Sequence, residues 1–224
     1  MGAICNYVRK RDYKTCGKTG EYANGNGALM RIMPVCLYAY IKYKNDHVSL
    51  KEAVEYVHQA SVLTHNHLRA RMARGIYFFM VRAILEGEGT LIQKLQKGMD
   101  DAGLFYKKDS INLAEWSRFG RLENLSEFAT VEEDAIKSSG YVVDSLEAAI
   151  WSLITTESLE EGLLKAVNLG DDTDTVGAIA GVLATLHYGY NSIPVSWRKV
   201  IIKRDEIITC VKSVFVSCGR RGGK

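Results

Sequence analysis

Proline is scarce in this sequence, with only Pro34 and Pro194 among 224 residues. Because proline is the strongest helix breaker, its scarcity leaves long helical segments uninterrupted. The β-branched residues are scattered and do not form the alternating runs that are typical of strands. These absences predict an all-α protein. We expect one domain over residues 1–224, because no linker or internal repeat divides the chain.

Three further absences narrow the class of protein. No apolar run is long enough to span a bilayer, and the first residues lack the apolar core of a signal peptide, so we expect a cytoplasmic protein without a membrane partner. The 29 basic and 26 acidic residues nearly balance at a net charge of +3, which gives no indication of nucleic-acid binding. The five cysteines share no metal-ligand spacing, and this favours reduced thiols.

Several segments carry the sequence signals of helix ends. Residues 49–52, 144–147 and 158–161 each place glutamate three positions after serine or aspartate, the pattern of a capping box. Gly170 follows the apolar stripe of the third segment, where a left-handed C-cap is expected. The sequence therefore predicts helices that begin near these boxes and one that ends at Gly170.

Negative charge is concentrated in "NLGDDTDTVGAIAG", residues 168–181. One aspartate at a helix N-terminus is favourable by about 0.3–1 kcal/mol, through the free N–H groups and the helix dipole. Three aspartates in four positions repel one another, so they need a counter-charge. Carboxylate and hydroxyl oxygens suit Mg²⁺, Mn²⁺ or Ca²⁺. The segment is either a solvated helix cap or part of a cation site.

Two known motifs partly match this cluster. An EF-hand loop starting at Asp172 requires oxygen donors where Val176 and Leu183 stand, so the EF-hand is excluded. "DTDTV" also fits the nucleophile pattern of haloacid-dehalogenase-like phosphatases, in which Asp172 would attack phosphate. That pattern needs an apolar strand before it, and "EEGLLKAVNLG" has helical periodicity instead.

A glycine-rich segment and two shorter stretches are further candidates for a site. "YANGNGALMRIMP", residues 22–34, can cradle a phosphate with backbone N–H groups, or form a plain tight turn. "LTHNH" places His65 and His67 at a helix end, where histidine either caps and packs or binds a ligand. "SSGYVVD" places Tyr141 where it either stacks on a base or packs.

Together these stretches resemble the ADP-ribosylglycohydrolase family. The resemblance rests on "NGNGALMRIMP", "LTHNH", "SSGYVVDSLEAAIW", "KAVNLGDDTDTVGAIAGVLATLHYG" and "IPVSWRKVI", which run in family order and cover most of the chain. It implies a compact, multi-helix all-α bundle with a binuclear Mg²⁺ or Mn²⁺ centre. It also implies hydrolysis of the glycosidic bond between ADP-ribose and an acceptor side chain, with ADP-ribose or an ADP-ribosylated substrate as the bound partner.

The resemblance assigns roles residue by residue. It makes Asp172, Asp174 and Thr175 metal ligands. It places the ribose against His65 and the nucleoside side near Gly140 and Tyr141, and it places the diphosphate against the loop of Asn24, Gly25, Asn26 and Gly27.

The sequence departs from the family pattern before the glycine-rich loop. Relatives carry a Thr-Asp-Asp-Thr cluster there, whereas residues 1–23 contain only Asp12 and Glu21 as acidic residues. The chain therefore resembles the C-terminal two-thirds of such an enzyme, with half of the metal ligands absent. We expect exposed apolar surface that favours self-association or an N-terminal partner fragment. The alternative to a hydrolase is a non-catalytic ADP-ribose-binding module or a decayed remnant.

Overall fold

The computed structural model describes the backbone of residues 2–46 and 48–219, and over this part of the chain it is helical without any strand. The all-α prediction is therefore confirmed. The twelve α-helices of the described part, α1 to α12 in chain order, are Gly2–Lys10, Met33–Asn45, Leu50–Val62, Leu68–Glu86, Leu91–Tyr106, Ser110–Trp116, Leu125–Phe128, Val142–Ile154, Leu159–Asn168, Thr173–Tyr188, Val195–Lys199 and Arg204–Gly219. None of them is both long and apolar enough to cross a membrane.

Helix α4 forms the centre of the bundle, with α3, α5, α8 and α10 packed around it. Its apolar side chains face all directions and are almost all buried, which is the pattern of a helix enclosed by other helices. Helix α5 approaches it closely at Gly98, where an added Cβ would lie 2.6 Å from the Cα atom of Met80. The N-terminus of α4 follows directly after "LTHNH", because the helix begins at Leu68 with His67 in the N-cap position.

The predicted helix starts are confirmed in part. Ser49 and Glu52 form the reciprocal capping box of α3. Ser158 caps α9, but the carboxylate of Glu161 accepts from the N–H of Glu157 instead of completing the box.

The predicted capping box at residues 144–147 is wrong. Helix α8 begins at Val142, and Tyr141 occupies the N-cap position, three residues before Asp144. The hydroxyl of Ser139 donates to Asp144 Oδ2 at 2.6 Å, so this carboxylate bonds to the preceding loop and not to its own helix.

Both ends of the chain expose apolar side chains. Ile4 and Val8 lie on one face of α1, and Ile207, Val211 and Val214 share a face of α12 by their three- and four-residue spacing. This agrees with the expected exposed apolar surface, whereas the partner that would cover it stays a prediction.

A buried carboxylate of α8 titrates close to neutral pH. Glu147 is 6% exposed and accepts a 2.8 Å hydrogen bond from the Arg121 guanidinium. Burial raises the pKa of Glu147 to about 7, against the opposing effect of Arg121. The folded protein then holds this proton more tightly than the unfolded chain does. Protonation of Glu147 therefore stabilises the fold at acid pH, and this stabilisation is lost as the pH rises towards 7.

We therefore expect the free energy of unfolding to fall by about 2 kcal/mol between pH 5 and pH 8 through this group. Glu147→Gln should remove that part of the pH dependence, because the amide does not ionise. Urea unfolding at four pH values measures it, with exposed Glu160→Gln as the matched control. Equal pH slopes for wild type and Glu147→Gln would contradict the assignment.

Candidate functional site

The glycine-rich loop is joined to the loop that precedes α8. The N–H of Asn26 donates to the carbonyl of Gly140 at 3.0 Å, and the N–H of Val142 donates to the carbonyl of Asn24 at 2.9 Å. Asn24 is buried and its amide donates to the carbonyl of Glu21, while its Oδ1 accepts no hydrogen bond from the described residues. The two loops, which are more than 110 residues apart in sequence, thus form one wall.

The acidic segment joins the same wall. Gly170 and Asp171 are consecutive residues in the left-handed region, with φ of 86° and 51°. Gly170 ends α9 as predicted, and the reversal brings the N–H of Asp172 to 3.1 Å from the carbonyl of Ser138. Helix α10 begins at Thr173, directly after this turn. The three segments found in the sequence therefore meet in space.

Asn26 is the side chain that connects all three segments. It is 7% exposed, and its amide nitrogen donates to Ser145 Oγ at 2.7 Å and to Asp172 Oδ2 at 2.6 Å. Ser145 in turn donates to the carbonyl of Ser139 at 2.7 Å. One buried amide thus sets the distance between the glycine-rich loop, the start of α8 and the start of α10.

His65 packs against the two glycines of the loop. A Cβ added to Gly25 would lie 3.2 Å from His65 Nε2, and one added to Gly27 would lie 3.5 Å from its Cε1. Burial lowers the pKa of His65, and the nearby cations Arg74 and Arg31 lower it further. The structure therefore brings a neutral imidazole to the loop. His67, the second histidine of the motif, instead caps α4.

The carboxylate of Asp172 does not cap the helix that follows it. Asp172 occupies the N-cap position of α10, but its side chain bonds to no N–H of that helix. Hydrogen bonding from Asn26 lowers the pKa of Asp172. Asp174 is exposed and accepts from the N–H of Thr175, whose buried hydroxyl contacts the sulfur of Met30 at 3.4 Å.

These oxygen atoms are of the kind that binds a divalent cation, but there are too few of them for a complete site. Asp172, Asp174 and Thr175 supply hard donors, which are the ligands that Mg²⁺ and Mn²⁺ prefer. However, the described residues contain no group of three or more histidine, cysteine, aspartate or glutamate side chains that could hold a metal ion. A binuclear centre at this position would therefore require further carboxylates.

The structure excludes the phosphatase interpretation of "DTDTV". Helix α9, Leu159–Asn168, occupies the place where that motif requires a strand. Asp172 follows a helix and a left-handed turn, so it does not project from the end of a sheet.

Sequence reasoning missed an arginine beside Tyr141. Arg69 is 4% exposed and donates to Glu21 Oε1 at 2.6 Å and to Glu115 Oε2 at 2.8 Å. Its guanidinium lies 5.8 Å from the ring centroid of Tyr141, a cation–π arrangement. Arg69 lies two residues after the "THNH" motif, but the sequence does not show that it pairs with Glu115, because Glu115 lies 46 residues further along the chain.

Comparison with known proteins agrees with this geometry. The ADP-ribosylglycohydrolase family model matches residues 1–223. The chain is 39% identical over 94 residues to ADP-ribosylarginine hydrolase Tri1 of Serratia proteamaculans, covering 42% of this chain and 26% of that protein. It is 25% identical over 205 residues to ADP-ribosylhydrolase ARH3 of Danio rerio, covering 80% of this chain and 53% of that protein.

A solved structure is similar over nearly the whole chain. The "ADP-ribosylglycohydrolase-related protein complex" superposes with a TM-score of 0.74 at 26% identity, covering 99% of this chain and 68% of that one. This chain belongs to the ADP-ribosylglycohydrolase family. It spans about a quarter of the length of Tri1 and about half of the length of ARH3.

Proposed function

We propose that this chain binds the ADP-ribose part of ADP-ribosylated substrates, in the site where its three loops meet. The observation that supports this most directly is the buried amide of Asn26, which holds the glycine-rich loop against both Ser145 and Asp172. A glycine-rich loop of this kind can bind a diphosphate through its backbone N–H groups. His65 borders the same loop, and Tyr141 forms an isolated backbone bridge with Gly25.

The reaction that fits this site is hydrolysis of the glycosidic bond between ADP-ribose and its acceptor. The loop and His65 would bind and orient the nucleotide, which lowers the entropic cost of reaching the reactive geometry. Asp172, Asp174 and Thr175 would hold part of a Mg²⁺ or Mn²⁺ site, and a divalent cation there supplies Lewis acidity and orients water. The described residues supply too few ligands for a binuclear metal centre. We therefore expect hydrolysis only where further carboxylates complete the metal site.

The shortage of donors also favours a second candidate function, a non-catalytic ADP-ribose-binding module. The two functions differ in turnover and not in binding. We therefore propose to incubate the purified chain with ADP-ribosylated arginine and serine peptides in excess Mg²⁺ and to measure the free ADP-ribose released.

In this assay we expect the wild-type chain to release ADP-ribose no faster than the Asp172→Ala variant does. That variant lacks one of the proposed metal ligands. Robust Mg²⁺-dependent release that Asp172→Ala abolishes would show that the site is complete without further carboxylates. A matched control is Asp134→Ala, an exposed aspartate of a 3₁₀ turn that is not one of the proposed ligands.

Two properties remain predictions alongside this function. The exposed faces of α1 and α12 favour self-association or a partner fragment that brings additional carboxylates. The cytoplasmic location predicted from the sequence agrees with the free thiols of Cys5, Cys16, Cys36 and Cys210, the cysteines whose side chains the structure describes.

A further inference from the structure

The hydroxyl of Thr64 lies between an arginine and the site histidine. Arg31 Nη2 is 2.7 Å from Thr64 Oγ1, and His65 Nδ1 is 2.9 Å from the same oxygen. Arg31 also donates from Nε to the carbonyl of Gly27 at 2.9 Å. A continuous chain of hydrogen bonds therefore runs from the glycine-rich loop through Arg31 and Thr64 to the imidazole.

The number of protons fixes the direction of the first of these hydrogen bonds, and the second depends on the tautomer of His65. A guanidinium has only donors, so the Thr64 oxygen accepts from Arg31. The hydroxyl has one proton of its own, and the Nδ1 atom of His65 lies within hydrogen-bond distance to receive it. If Nδ1 accepts, a neutral imidazole carries its hydrogen on Nε2.

The charges around His65 favour the neutral ring. Arg31, Arg74 and Lys18 are the cations that act on it, and together with burial they lower its pKa. Arg74 is completely buried and donates from Nη1 to Ser61 Oγ and to the carbonyl of Ala70.

We propose that Arg31 and Thr64 are positioning residues that hold His65 as the Nε2–H tautomer, with this donor directed at the face of Gly25 and Gly27. The Nε2–H group selects a ligand atom that accepts a hydrogen bond, such as a ribose hydroxyl or a phosphate oxygen. This last step rests on the proposed ADP-ribose site, whereas the tautomer itself is a property of the free protein.

The tautomer can be measured directly by ¹⁵N NMR of histidine-labelled protein, with His65→Gln to assign the resonances of His65. We expect the wild type to carry the hydrogen on Nε2, and Thr64→Ser, which keeps the hydroxyl, to do the same. Thr64→Val removes the donor to Nδ1, so we expect a mixture that includes the Nδ1–H form. Arg31→Met should also shift the tautomer equilibrium towards the Nδ1–H form. It serves as the second variant if Thr64→Val does not fold.

The proposal is overturned if the wild-type ring carries its hydrogen on Nδ1, or if the folded Thr64→Val and Arg31→Met variants keep the wild-type tautomer. Calorimetric titration with ADP-ribose tests the ligand step separately. We expect Thr64→Val to weaken binding about tenfold and Thr64→Ser about twofold or less. Absence of wild-type binding, together with an Nε2–H ring, would refute the proposed function and leave the tautomer assignment standing.

Discussion

Asn26→Asp is expected to abolish detectable ADP-ribose binding and to destabilise the fold by about 2–4 kcal/mol. The substitution changes one amide nitrogen to oxygen and leaves the shape of the side chain unchanged. The nitrogen that donates to Asp172 Oδ2 at 2.6 Å and to Ser145 Oγ at 2.7 Å then becomes a carboxylate oxygen. Two like charges at this distance in a buried position repel strongly, so the three loops should separate.

Urea unfolding and calorimetric titration with ADP-ribose measure the two effects of Asn26→Asp. The matched control is Asn191→Asp, which makes the same chemical change at an exposed position. It should alter the free energy of unfolding by less than about 0.5 kcal/mol. If Asn26→Asp bound ADP-ribose as tightly as the wild type, Asn26 would not be the residue that assembles the site.

Gly17→Ala is expected to cost about 1–3 kcal/mol of stability and to displace His65. A Cβ at this position would lie 2.1 Å from the carbonyl oxygen of Val62, a backbone atom at the end of α3. The next residue, Lys18, donates to the carbonyl of Thr64 at 3.3 Å and accepts from the N–H of Asn66 at 2.8 Å. The segment around Gly17 therefore braces the turn that carries His65, and an added methyl group forces the two apart.

Gly20→Ala is a matched control for this prediction, because a Cβ at Gly20 would meet nothing within 4 Å. Its effect on stability should be neutral or favourable by about 0.4–1 kcal/mol, since alanine restricts the unfolded chain. Thermal unfolding and the His65 resonances measure both variants. Equal effects of the two substitutions would contradict the bracing role of Gly17.

The sequence predicted those features of the fold that depend on residues close together in the chain. Ser49 caps α3 through a box whose hydrogen bonds lie within one helical turn, and Gly170 ends α9 in the left-handed conformation that glycine tolerates. The box at Asp144 failed because a hydroxyl outside its helix, that of Ser139, competes for the carboxylate. Local patterns predict a cap only where no tertiary partner takes its place.

The convergence of the site could be predicted only through the family resemblance. No periodicity relates Asn26 to Asp172, which lie 146 residues apart, or Arg69 to Glu115. The resemblance named the residues that meet, but not the bonds that hold them. The sequence does not predict the near-neutral pKa of Glu147 either, because this pKa arises from burial that only the packed bundle creates.

The central claim is that this chain assembles an ADP-ribose site from its three loops. Calorimetric titration of ADP-ribose into the purified chain, with and without Mg²⁺, tests it most directly. We predict saturable binding that Gly25→Val removes, because its Cβ would already lie 3.2 Å from His65 Nε2 and its methyl groups would displace the imidazole. Stronger binding with Mg²⁺ would support the partial metal site of Asp172, Asp174 and Thr175. Absence of heat in both conditions would contradict the account.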